Sequence, residues 1–144
     1  MSVLWFDGLL AQLADAGVYF MPAPDMDELL EAAAVNNFPV LRVNLRGCNA
    51  RADLLLRIAG VLAVPPHHAN DWPELAAALD ALRSADSGGQ VLVLEHSEDI
   101  RAAAVAEFKL AMEALQEVSA RWAGEGLAFW SFVVLPEAEF DALG

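Results

Sequence analysis

Apolar positions change their period several times along this chain, and each change marks an element. Val3, Phe6, Leu9, Leu10 and Leu13 recur at helical spacing and stop at Gly17, a residue suited to a C-terminal cap. Val18-Tyr19-Phe20-Met21, closed by Pro22, has the β-rich makeup of a short strand. Asp25 with Glu28 three residues on forms a capping box for a helix carrying Leu29, Leu30, Ala33 and Ala34, ended by Asn36-Asn37. After Pro39, Val40 to Leu45 predicts a strand. Gly47 then turns the chain toward Asn49, the expected cap of a helix through Leu54, Leu55, Ile58, Val61 and Leu62.

Pro65-Pro66 forbids continuation of that helix. Past the loop His67-His68-Ala69-Asn70, Asp71 can cap a new helix, Glu74 can reach back, and Pro73 is tolerated in the first turn before Leu75, Leu79 and Leu82. Gly88-Gly89 releases the chain into Val91-Leu92-Val93-Leu94, an unbroken apolar run of the kind covered on both faces of a sheet. Ala104, Phe108, Ala111, Leu115, Val118 and Trp122 then lie on one helical stripe opposite Glu107, Glu113 and Glu117. Gly124 and Gly126 end that helix, and Leu127 to Leu135 supplies a last apolar strand before Pro136 and an acidic tail. From residue 39 the order is strand, helix, helix, strand, long helix, strand. The right-handed crossover rule turns this into a small three-stranded parallel sheet flanked by helices, an α/β fold. Residues 1–38 form an added N-terminal helical layer, with Val18 to Met21 open as an extra edge strand, residues 39–136 form the α/β domain, and residues 137–144 form the acidic tail.

Charge narrows the class of partner. The 144 residues include 8 basic and 21 acidic side chains, a net charge of −13, which argues against direct contact with nucleic acid and favours a basic protein partner. With 57% hydrophobic and 20% charged residues the chain can bury a core and is not a disordered acidic segment. Cys48 is the single cysteine, so no internal disulfide forms. The first residues lack the basic region of a secretory signal, and the longest stretch free of charged residues, Ile58 to Asn70, falls short of the roughly 18 apolar residues of a membrane span. The expectation is a cytoplasmic protein with no membrane contact.

Candidate chemistry is sparse. Cys48, Glu95 and His96 follow the carboxyl ends of predicted parallel strands, where open α/β sheets place ligands, and together they define a small-enzyme reading. His67 and His68 are adjacent and lack the spacing of paired helical ligands, and no Cys-x-x-Cys or His-Glu-x-x-His pattern occurs, so no metal is expected. Gly88-Gly89 precedes a strand instead of opening a helix, which gives phosphate no cradle, and no nucleotide or other cofactor is expected. Ser97-Glu98-Asp99 reads as a helix cap with acidic first-turn residues. The stretch from Pro65 to Leu82 is less ordinary. Its loop presents bulky and acidic groups directly before a helix on which Glu74, Ala77 and Asp80 recur every three residues. Such a surface suits recognition. The structural alternative is that Asp71 and Glu74 only cap, Trp72 is a staple into the core, and Asp80 is a solvated charge.

Over about residues 39–135 the chain resembles the barstar family, intracellular inhibitors of secreted bacterial ribonucleases. The likeness rests on the element order and on Leu62-Ala63-Val64-Pro65-Pro66-His67-His68-Ala69-Asn70-Asp71-Trp72-Pro73-Glu74-Leu75, with Leu79, Val91 to Glu95, Phe108 and Trp122 to Gly126 following. The family pattern there is a proline, an aromatic pair, Gly-x-Asn-x-Asp-Ala-Leu, and an acid two residues later, and order and spacing match without a gap. The resemblance implies a three-stranded parallel sheet packed on helices, with the loop and second helix blocking a nuclease active site. It also shows departures. His67 and His68 stand at the aromatic pair, Ala69 at the glycine, Asp71 at the asparagine, and Pro73 and Ala77 at the two helix aspartates.

The expected function is that of a non-catalytic, barstar-like inhibitor or immunity protein. It would bind a basic protein toxin, a nuclease, through His67, His68, Asn70, Asp71, Trp72, Glu74 and Asp80. A different reading is an oligomeric scaffold in which Trp5, Phe6, Leu9 and Leu10 of the N-terminal helix make a homo-oligomer contact.

Overall fold

The structure, a computed structural model, describes residues 3–65, 70–82 and 89–143. Four parallel strands, β1 (Val18–Pro22), β2 (Val40–Asn44), β3 (Gly89–Glu95) and β4 (Ala128–Leu135), form one sheet in the order β1-β4-β3-β2. The helices are α1 (Val3–Leu10), α2 (Met26–Val35), α3 (Arg51–Val61), α4 (Trp72–Leu82), α5 (Glu98–Ala103), α6 (Val105–Ala123) and α7 (Glu137–Leu143).

The α/β class and the helix-flanked parallel sheet are as expected, but the sheet has four strands instead of three. Val18 pairs with Ser131 and Pro22 with Leu135, which makes β1 a full edge strand beside β4. Residues 1–38 are therefore more than a helical layer. The chain leaves β1 at one edge, crosses the sheet with α2 on one face, enters β2 at the other edge, and winds back through β3 to β4 with α3 to α6 on the opposite face.

Alternation along the strands divides the interior into two cores. Leu92 and Leu94 of β3 and Phe129, Val133 and Leu135 of β4 face Leu54, Ile58, Leu75, Leu79, Phe108, Leu115 and Trp122 of the helices α3, α4 and α6. Val91 and Val93, with Trp130 and Phe132, face Phe6, Leu10, Leu29, Ala32 and Ala33 of α1 and α2. Every residue of β4 is buried, as a strand covered on both faces requires.

Two further boundaries differ from expectation. The apolar stripe starting at Ala104 is continuous in sequence, yet Ala104 has φ −151° and ψ 63°, which separates α5 from α6. The acidic tail folds as α7: Phe140 packs against the larger core, its N–H donates to the Pro136 carbonyl, and Arg101 Nη2 lies 2.9 Å from Glu139 Oε2. Among the described residues no helix is long and apolar enough to cross a membrane.

Candidate functional site

The segment into α4 is shaped by local backbone chemistry. Helix α3 ends in a left-handed cap at Ala63 (φ 59°), and the Val64 N–H returns to the Ala59 carbonyl at 2.9 Å, which turns the chain toward Pro65. His67 and His68 lie outside the described residues, and the chain re-enters at Asn70. Asp71 Oδ1 accepts the Glu74 N–H at 2.8 Å, the N-cap bond that starts α4. The Glu74 carboxylate turns toward Asn70, whose Nδ2 donates to Oε1 at 3.4 Å.

Helix α4 then divides into two faces. Trp72, Leu75, Ala76 and Leu79 are buried, whereas Pro73 and Ala77 are exposed and Glu74 and Asp80 are half-buried. Trp72 retains 8% of its surface and packs into the core, and the part left exposed borders the groove beside α4. Its apolar ring follows Asp71 into the first turn of α4 and packs beneath the helix. Asp80 Oδ2 receives the Arg121 Nε–H at 2.7 Å, so this carboxylate is tied to α6 and is not an isolated charge.

The outward face of α4 borders a groove of about 510 Å³ against α6. Trp72, Pro73, Ala76 and Ala77 line one wall, Leu110 and Ala114 the other, and Asp80, Glu113, Glu117 and Arg121 stand around it. The sequence marks Glu113 and Glu117 only as the solvated side of a helix. Their meeting with α4 depends on the adjacency of two helices that are not consecutive, which periodicity does not encode. Of the expected site residues, the described part brings Asn70, Asp71, Glu74 and Asp80 to the α4 surface. That surface lies on the sheet face opposite α1 and α2, so these two helices do not cover it.

The small-enzyme constellation does not assemble. Glu95 Oε1 accepts from Arg42 Nε at 2.8 Å, and His96, with φ 57°, places Nδ1 3.3 Å from Arg46 Nη2. Both line a cavity of about 370 Å³ at the carboxyl ends of the strands, with Arg42 and Glu98. Cys48 does not line it. The thiol is fully buried, and burial, with smaller contributions from Asp53 and Asp99, raises its pKa despite the opposing charge of Arg57. Among the described residues no hydrogen bond joins Cys48, Glu95 and His96. Among the described residues no cluster of His, Cys, Asp or Glu could hold a metal ion.

Comparison with protein families gives a match to the model described as Barstar (barnase inhibitor), over residues 38–134. A comparison with curated proteins finds no match. The family match begins at the entry to β2 and ends within β4, leaving α1, β1 and α2 outside it.

Proposed function

The chain belongs to the barstar family, and from that membership we propose that it is a non-catalytic inhibitor or immunity protein that blocks a basic ribonuclease or related toxin in the cytoplasm of a bacterium. The observation that carries this reading is the solvent-open α4 surface, where Asp71 and Glu74 mark the helix start and Asp80, Glu113 and Glu117 surround the adjoining groove. A nuclease cleft is cationic because it holds phosphate, so carboxylates fixed on a helix attract it and occupy the place of substrate. With Pro73 and Ala77 where the family resemblance puts aspartates, the centre of the contact is apolar and the charge lies around it. That arrangement redirects specificity toward a toxin presenting an apolar group flanked by cations.

The test is co-expression with the ribonuclease or toxin encoded beside this gene, scored by cell survival and by RNA cleavage with the purified pair. The protein protects, and Glu74→Arg combined with Glu117→Arg weakens inhibition at least about tenfold, while Glu31→Arg on α2 has no effect. Protection that is indifferent to reversal at Glu74 and Glu117 refutes this surface. Absence of protection against a basic ribonuclease refutes the function.

A further inference from the structure

A second groove, of about 570 Å³, runs along the other flank of α6, between β1, α6 and α7. Its exposed apolar content is concentrated. Phe20 is 41% exposed, Val105 50% and Leu143 63%, and the less exposed Phe108 and Met112 lie beside them. A contiguous apolar surface of this kind marks an interaction site on a soluble protein. The Val18 N–H on the edge of β1 donates to Gln116 Oε1 at 3.0 Å, and Pro22 has no N–H to offer. The β1 edge is therefore poorly suited to adding another strand, and an occupant must pack through side chains.

The charges around this groove indicate which occupant. In a chain of net charge −13, the single lysine, Lys109, lies here with Glu113 one helical turn further along α6. Both are exposed, and among the described residues neither forms an ion pair or hydrogen bond. Lysine four residues before glutamate is also the weaker orientation for pairing within a helix. A foreign ligand of one sign would satisfy one of these groups and oppose the other. A second copy, with its α6 antiparallel to the first across a twofold axis, presents Glu113 to Lys109 and Lys109 to Glu113 at once, the reciprocal pattern of an isologous interface.

We propose that the β1–α6–α7 groove is a homodimer interface, in which Phe20, Val105 and Leu143 pack against a second copy and Lys109 pairs reciprocally with its Glu113. This differs from self-association through the N-terminal helix. Phe6 and Leu10 of that helix are fully or almost fully buried under the sheet, which leaves Trp5 as its exposed large apolar side chain among the described residues. Glu113 borders both grooves, whereas Phe20, Val105, Lys109 and Leu143 lie outside the α4 groove, so Val105→Lys and Lys109→Glu separate this proposal from the inhibitor reading.

Sedimentation equilibrium of the full chain over roughly two decades of concentration tests it. The wild type shows a monomer–dimer equilibrium, and Val105→Lys raises the dissociation constant at least about tenfold. Lys109→Glu and Glu113→Lys each do the same alone, by placing like charges across the axis, and an equimolar mixture of these two variants restores the dimer as a heterodimer. Circular dichroism confirms that each variant is folded, and Lys109→Arg retains dimerisation. A wild type that stays monomeric throughout overturns the proposal, as does a dimer unmoved by these substitutions. A mixture that fails to recover the dimer overturns the reciprocal pairing.

Discussion

A thiol removed from water ionises reluctantly, and the thiolate is the reactive form. Cys48 is fully buried, with its pKa raised first by desolvation. The sign is clear: at any pH near or below the usual thiol range, the folded protein holds less thiolate than the unfolded chain. Cys48 should therefore react with a disulfide reagent at about pH 8 roughly a hundredfold more slowly than in denaturant. Release of the coloured thiolate measures it, and equal rates would show the thiol to be accessible. Ala63 carries a different local constraint. It holds a left-handed conformation at the end of α3, where a Cβ is disfavoured and glycine is at ease. Ala63→Gly should stabilise the protein by about 0.5–1 kcal/mol, since relief of the native conformation exceeds the added freedom of the unfolded chain. Thermal melting reads this as a rise of about 1–4 °C, and a fall would mean that unfolded-state entropy dominates.

At the scale of elements, what the sequence disclosed was whatever local pattern determines. The β2, β3 and β4 runs, the Asp71 cap of α4 and the Phe108-to-Trp122 stripe all follow from neighbours within a few residues. The α5–α6 break at Ala104 involves no glycine or proline, and α7 is acidic and short, so neither carried a local signal. The full status of β1 depends on pairing with β4, more than a hundred residues away, and the Glu113–Glu117 wall of the α4 groove depends on a contact between helices distant in sequence. Trp72 was ambiguous because a residue after an N-cap can serve as staple or as surface, and packing decides. These long-range contacts make residues 1–38 integral. Without them, Val91, Val93, Trp130 and Phe132 lose α1 and α2, and β4 loses its neighbour β1. Deletion of residues 1–38 should therefore give a chain that aggregates or binds an apolar dye strongly, with loss of near-ultraviolet circular dichroism. A soluble, cooperatively melting truncation would show that the family-matched segment closes its own sheet.

For the whole molecule, the net charge of −13 acts in opposite directions on the two proposed associations. A cationic ribonuclease is attracted from a distance, and that attraction extends over a Debye length of about 10 Å at 0.1 M salt. Raising salt from about 0.05 to 0.5 M should slow its association roughly tenfold, with dissociation changing less, because steering acts mainly before contact. Two copies of this chain repel at the same range, and the reciprocal Lys109–Glu113 pairing acts only once they touch, whereas the thirteen net negative charges on each act before contact. The same salt increase should leave the homodimer as tight or tighter, since screening relieves the larger, longer-ranged term. Stopped-flow association with the ribonuclease and sedimentation of the protein alone, in matched buffers, give both signs. If salt weakens the dimer as steeply as it slows the ribonuclease, ion pairing and not apolar packing holds the copies together. If ribonuclease association is insensitive to salt, the acidic surface around α4 does not guide the encounter.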